Sequence, residues 1–134
     1  LFPADRRLLL DGLGEIKKDD IVIFDRYVPS AIAYRMADGI DKEWVQGINK
    51  NFPRHDLGFY IDITPEESIR RNTDQKFNIR YSYEHLDRVR KAYKSILDEY
   101  SLEQIDGSQS INDIFKHIAR RVNNKMKEKE DIER

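Results

Sequence analysis

Residues 21–34, IVIFDRYVPSAIAY, constrain this chain more than any other stretch. Four apolar residues stop abruptly at Asp25-Arg26. Such a run ending in charge is the pattern of a buried parallel strand that delivers side chains to the edge of a sheet, so a strand is expected over 21–25. Ligands collect at that edge in α/β proteins. An adjacent acid and base there suit phosphate and a divalent cation: Asp25 can hold a metal or its waters while the fork of Arg26 grips phosphate oxygens. A surface ion pair at a strand end would account for the same two residues. Pro29 forbids a continued strand and Ser30 can cap a helix, so Ala31, Ile32, Ala33 and Tyr34 should start one. Ser30 and Tyr34 then stand one turn apart on a face that looks back toward Arg26. A hydroxyl, an aromatic ring and a guanidinium in one small volume are the inventory for a nucleotide.

Composition sets the limits. The 134 residues make one domain at most. There is no cysteine, no apolar run of about eighteen residues and no signal-peptide pattern. This reads as a soluble, cytoplasmic protein without disulfides, a membrane partner or a Cys-based metal site. His55, His85 and His117 are too scattered for a ligand set. Charged residues make up 37% of the chain, against ~25% in typical domains, which is compatible with a heat-adapted source. Residues 70–94 hold eight bases and three acids inside a chain of net charge −1. An anion partner is one inference and a solvated helix face the other; the bases mix with core residues, so no nucleic-acid partner is expected.

Order along the chain is that of an α/β fold. Leu8, Leu9, Leu13 and Ile16 give a helical apolar stripe, and Pro3 belongs in a first helical turn. Phe2 and Arg6 sit one turn apart, where they could stack on a base and read its edge, or be a half-buried ring beside a surface arginine. Asp38-Gly39 breaks the next helix, and Asp41 can cap another through Trp44, Val45, Ile48 and Phe52 before Pro53. A strand over 57–63 leads into Thr64-Pro65-Glu66-Glu67, a capping box with proline at the first helical position. Residues 72–82 lack apolar periodicity and are long for a connection, as lids are. A helix over 83–100 buries Leu86, Val89, Tyr93, Ile96, Leu97 and Tyr100. A short strand over 103–105, the turn Asp106-Gly107-Ser108, and a last helix capped by Ser110 complete the order. In that helix Ile111, Ile114, Phe115, Ile118 and Val122 recur at helical spacing, and residues 125–134 are a charged tail expected to fray.

These residues together resemble thymidylate kinases, of the nucleoside monophosphate kinase group. The likeness is carried by Leu1-Phe2-Pro3-Ala4-Asp5-Arg6, by Asp25-Arg26-Tyr27 with Ser30 and Ala33-Tyr34, by Asp56-Leu57 with Asp62-Ile63-Thr64-Pro65-Glu66, and by Arg88-Val89-Arg90 with Tyr93. The resemblance implies a P-loop kinase-type three-layer α/β/α fold with a parallel sheet, and transfer of phosphate from ATP to dTMP with Mg2+, giving dTDP. It implies that Phe2 stacks on thymine, Arg6 bonds its edge, Arg26 holds the acceptor phosphate, and Asp25 supports magnesium. Ser30 would line the pocket, and Tyr34 would stand against the sugar. Arg71 and Arg80 would be lid arginines around the moving phosphoryl group, with Tyr81 touching substrate, although Lys76-Phe77 can align in the place given to Arg80-Tyr81. Asp106, Gly107 and Ser108 would border the adenine of the donor. The family works as a homodimer, for which the apolar residues of 8–16 and 44–52 could supply a face.

Arg35 stands where many relatives carry glutamine, and Ala31 where some place asparagine. No glycine-rich phosphate loop ending in Gly-Lys-Ser/Thr occurs in the 134 residues. The expectation is therefore that residues 1–134 are the C-terminal majority of a longer kinase domain, with the first strands missing, and are inactive by themselves. A deoxynucleoside or other nucleotide kinase of the same fold, and a non-catalytic nucleotide-binding module, are the rival readings.

Overall fold

The structure, a computed structural model, describes residues 3–17, 20–72 and 81–132. Phe2, Lys76, Phe77 and Arg80, with most of the expected lid, lie outside them. In chain order the described elements are α1 (Pro3–Gly12), α2 (Val28–Ala37), α3 (Lys42–Asn49), β1 (Gly58–Asp62), α4 (Pro65–Arg71), α5 (Tyr83–Ile96), β2 (Leu102–Asp106) and α6 (Ile111–Ile132). They gather into two compact units, Leu1–Arg54 with Glu84–Ile96, and His55–Tyr83 with Leu97–Arg134.

In the first unit, α1 opens at Pro3, where the missing N–H of proline costs no hydrogen bond. Its expected apolar stripe is not its buried face: Leu8 is 72% exposed, Leu9, Leu13 and Ile16 are also exposed, and Arg6 is 2% exposed. Periodicity identifies a face able to be buried, and the packing partner decides which face is. The strand expected over 21–25 is likewise not formed. Among the described residues the sheet has two strands, β1 and β2, and residues 21–24 belong to neither. Ile21, Val22 and Ile23 are exposed, Ile23 by 87%. An apolar run does not itself supply the neighbour whose backbone groups a strand must pair with.

Ser30 does not cap α2. The helix starts three residues earlier, with Tyr27 at the N-cap in extended conformation and Pro29 in the first turn. It ends in a Schellman motif. Gly39 takes φ +82°, its N–H donates to the Met36 carbonyl (3.0 Å), and the Ile40 N–H donates to that of Arg35 (2.9 Å). Asp41 caps α3 as expected, accepting from the Trp44 N–H at 2.8 Å. The buried apolar set of this unit is Val28, Ile32, Ala33, Ala37, Val45, Val89, Ala92 and Ile96.

In the second unit β1 and β2 run parallel, in register from Gly58 beside Leu102 to Asp62 beside Asp106. The chain is thus a mixed α/β protein with a small parallel sheet. Thr64 caps α4 through its hydroxyl, which accepts from the Glu67 N–H at 3.3 Å. The side chain of Glu67 does not complete a capping box; it holds Arg70 and Arg71. Regular helix in α5 stops at Ile96, short of the expected Tyr100, and the turn that follows closes with Leu102 N–H on the Leu97 carbonyl at 2.9 Å. Ser110 caps α6, accepting from the Asp113 N–H at 3.1 Å and donating to its carboxylate at 2.7 Å. The charged tail continues this helix to Ile132 instead of fraying, helped by i,i+3 pairing of Lys125 with Glu128. Of its expected stripe, Ile114, Ile118 and Val122 are half-buried, and Ile111 and Phe115 are exposed.

Candidate functional site

Two clusters, one in each unit, contain most of the described residues singled out above. The first forms where residues 21–25 lead into α2. Arg26 adopts φ +67°, a left-handed conformation that few non-glycine residues hold without strain. That backbone turns its guanidinium onto Tyr34, with Cζ 4.9 Å from the ring centroid and a hydrogen bond to the phenol. Burial pulls the pKa of Arg26 down, but the Tyr34 phenol, Tyr93 and Asp25 outweigh it, and the net shift is upward. The group is a permanent cation held against an aromatic wall. Ser30, buried one turn before Tyr34, hydrogen-bonds Tyr93 of α5. Burial chiefly raises the Tyr93 phenol, with Ser30 opposing the shift. Arg26, Ser30 and Tyr34 are therefore brought together, and Tyr93 joins them from residues far along the chain.

Arg6 is enclosed in the same unit. Its Nη1 donates to the Asn49 side-chain oxygen, and its Cζ lies 5.0 Å from the Phe52 ring centroid and 5.5 Å from that of Tyr27. The Asn49 amide in turn donates to the Val45 carbonyl at 2.8 Å, which orients the oxygen toward Arg6. Burial lowers the pKa of Arg6 and raises that of Tyr27, each partly countering the other. The guanidinium thus lies beside two rings and an amide of its own unit. At the far end of α2, Asp38 receives Arg35 at 3.2 Å and lies 3.8 Å from His85, whose ring is 6.2 Å from Tyr34. Arg88 donates to the Ala37 carbonyl at 3.0 Å.

The second cluster lies at the carboxyl ends of β1 and β2. The Gly107 N–H donates to the Asp62 carbonyl at 2.8 Å, and the Ser108 N–H to the Asp106 carboxylate at 2.8 Å. The Ser108 hydroxyl and N–H together hold the Asp106 carboxyl below the usual carboxylate range. Asp62, buried, accepts from Gln104 at 2.9 Å and from the Tyr60 hydroxyl at 3.2 Å. Arg71, the last residue of α4, donates to the Gly107 carbonyl at 3.0 Å. Arg71 and the 106–108 turn thus meet, while Tyr81 is half-buried in the same unit.

No group of three or more His, Cys, Asp or Glu among the described residues is placed to hold a metal ion. A magnesium ion at a phosphoryl-transfer site takes most of its ligands from nucleotide phosphates and water, so a lone carboxylate such as Asp25 would be the kind of group to support one. Tyr27 and Tyr93 carry part of the family likeness and Phe52 read as packing, but the residues gave none of Tyr27, Asn49, Phe52 and Tyr93 a part in a site. Tyr93 also read as a member of a helical stripe, with a hydroxyl that must find a partner when buried.

A mixed α/β chain with a small parallel sheet, and a turn at the carboxyl ends of its strands, is consistent with a P-loop kinase-type fold. The particular family follows from comparison with known proteins. The chain belongs to the thymidylate kinase family, whose model matches residues 1–118. It is 34% identical over 120 residues to a probable thymidylate kinase 1 of Saccharolobus solfataricus, covering 90% of this chain and 64% of that protein. Probable thymidylate kinases of Sulfurisphaera tokodaii and Sulfolobus acidocaldarius are 35% and 36% identical over 115 and 117 residues, each match covering 85% of this chain and 60% of the relative. The chain spans about three fifths of the length of these relatives.

Proposed function

We propose that the protein at its full natural length transfers the terminal phosphoryl group of ATP to dTMP, giving dTDP and ADP. The observation that carries this reading is the strained backbone of Arg26, which aims a permanent cation across the face of Tyr34. Strain at a charged residue beside a buried serine and a half-buried tyrosine is hard to account for by packing alone. In the reaction an oxygen of the dTMP phosphate attacks the γ-phosphorus, and the bond from that phosphorus to the β–γ bridging oxygen breaks. Both reactants are anions, so the rate comes from alignment and from fixed cations. Arg26 holds the acceptor phosphate and Tyr34 stands against the sugar. Ser30 lines the pocket, and Arg71 brings positive charge to the donor side beside Asp106, Gly107 and Ser108. Asp25 would support a magnesium ion bound with the nucleotide, which would offset phosphate charge. Phe2, Arg6, Arg80 and Tyr81 enter as base-reading and lid residues by family likeness; for Arg6 this requires its guanidinium to leave Asn49.

The same reading makes the protein a cytoplasmic homodimer. Support for a dimer comes from Leu8 and Leu9 of α1 and Trp44 and Ile48 of α3, exposed apolar side chains of the first unit. No helix among the described residues is long and apolar enough to cross a membrane.

The test is steady-state ADP release by the full-length protein with ATP, Mg2+ and each of dTMP, dUMP, dAMP and thymidine. The expected result is a preference for dTMP, with Arg26→Met lowering kcat/KM by about 10²- to 10³-fold, the usual loss when one donor to a developing charge is removed. Phosphorylation of thymidine with dTMP inert would overturn the assignment in favour of a nucleoside kinase.

A further inference from the structure

The Glu67 side chain pairs with two arginines of its own helix, and one of them continues into the second cluster. One of its oxygens accepts from Arg70 Nη2 at 2.6 Å and also from Arg71 Nε, and the other accepts from Arg70 Nε at 2.7 Å. Its own N–H is fixed by the Thr64 cap. Arg71 therefore leaves α4 with one edge tied to a carboxylate of its own helix. Its Nη1 then crosses to the Gly107 carbonyl, 36 residues further on. Both ends of the peptide plane between Gly107 and Ser108 are held, the carbonyl by Arg71 and the N–H by the Asp106 carboxylate. The plane before it is held by the Gly107 N–H on Asp62. An arginine on a helix end has several free torsions, and a single contact to a carbonyl would leave most of them unsettled. Two anchors on different parts of one planar group remove that freedom.

We propose that Glu67 is a positioning residue for the phosphoryl donor: it orients Arg71, which fixes the 106–108 turn against which the adenine end of ATP rests. The inference depends on the proposed kinase function, because the turn is a donor site only in that reading. Glu67 touches no substrate. Its effect falls on the donor and not on the acceptor, since the acceptor residues Arg26, Ser30 and Tyr34 make none of these bonds.

The test uses the full-length protein and two binding measurements, calorimetry with a non-hydrolysable ATP analogue and calorimetry with dTMP. Glu67→Gln is expected to weaken the ATP analogue by roughly three- to tenfold, the range for losing a charge-assisted hydrogen bond that is partly open to water, with dTMP affinity unchanged. Arg70→Gln, which frees Glu67 for Arg71 and leaves the turn alone, is expected to keep ATP affinity within about twofold. In an Arg71→Met background, Glu67→Gln should have no further effect, because it acts through Arg71. Equal loss for both ligands, or an additive loss in the Arg71→Met background, refutes the positioning role, and so does an unchanged ATP affinity. A protein that binds ATP but not dTMP overturns the kinase assignment and leaves the Glu67 result to stand by itself. A protein that binds neither nucleotide refutes both.

Discussion

Gly107→Ala tests whether the carboxyl end of the sheet is as tightly built as the structure shows. A Cβ added there would lie 2.3 Å from Ile63 Cγ2, 2.9 Å from the Asp62 carbonyl oxygen and 2.9 Å from Ile61 Cγ2. Carbon contacts are comfortable only at ~3.5–4.0 Å. The isoleucine methyls can give by rotation, at about 0.5–1.5 kcal/mol each for a displaced torsion. The Asp62 oxygen cannot. It belongs to β1, which is held in parallel register with β2 up to Asp62 and Asp106, and it accepts the Gly107 N–H at 2.8 Å. Moving the turn away would stretch that bond, worth about 1 kcal/mol. The total is about 2–4 kcal/mol, in the upper range for overpacking or just above it, or roughly 6–20 °C in melting temperature for a chain of this size. Gly47→Ala is the internal comparison: Gly47 lies inside α3 with no atom within 4 Å of its would-be Cβ. Removing a helical glycine there should stabilise by about 0.5–1 kcal/mol. Urea denaturation with unchanged slope measures both. If Gly107→Ala unfolds at the wild-type midpoint, or if the two substitutions shift stability in the same direction, the packing account of this turn is wrong.

The remaining predictions concern caps, core and acid. Thr64→Ala should cost about 1 kcal/mol by leaving the first turn of α4 without its side-chain acceptor, and a loss below about 0.3 kcal/mol in chemical denaturation would count against the cap. Ile96→Ala, at a fully buried position, should cost about 2–5 kcal/mol through lost burial and the cavity left behind, read as a shifted denaturation midpoint; a cost under about 1 kcal/mol would show that the α5 position is not core. Hydrogen bonds from Arg70 and Arg71 lower the Glu67 carboxyl from 4.5 to about 2. Arg121 and His117 lower Glu103, and Ser108 lowers Asp106. A carboxyl depressed in the folded state contributes stability above its ordinary pKa and loses it as pH falls through the folded value. The Glu67 share should therefore disappear between about pH 4.5 and pH 2. Glu67→Gln should flatten that part of a pH-dependent melting curve, more visibly at low salt, and an acid limb identical to that of wild type would contradict the pairing.

Much of the local structure was legible in the residues. Asp41, Thr64 and Ser110 each announce a helix start, and each accepts the N–H three residues on. Asp38-Gly39 announces a stop, realised as a left-handed glycine. The two strands at the centre of the second unit are also where alternation and turns put them. Failures came where burial had to be inferred from pattern. Residues 21–25 read as a buried parallel strand, yet Ile21, Val22 and Ile23 are exposed and 21–24 belong to neither β1 nor β2, while Leu8 and Leu9 of α1 face outward and Arg6 inward.

What the sequence determined by itself were contacts between residues three or four apart: caps, turn glycines and the pairing of Glu67 with Arg70 and Arg71. Those depend on backbone geometry that repeats from one helix to the next. Only the tertiary structure decided that Arg6 would be enclosed by Asn49, 43 residues away, and that Arg71 would hold the Gly107 carbonyl, 36 residues away. It also decided that Arg26 would take a left-handed backbone to reach Tyr34. Such placements depend on which surfaces meet once the chain has folded, and no spacing along the chain encodes that.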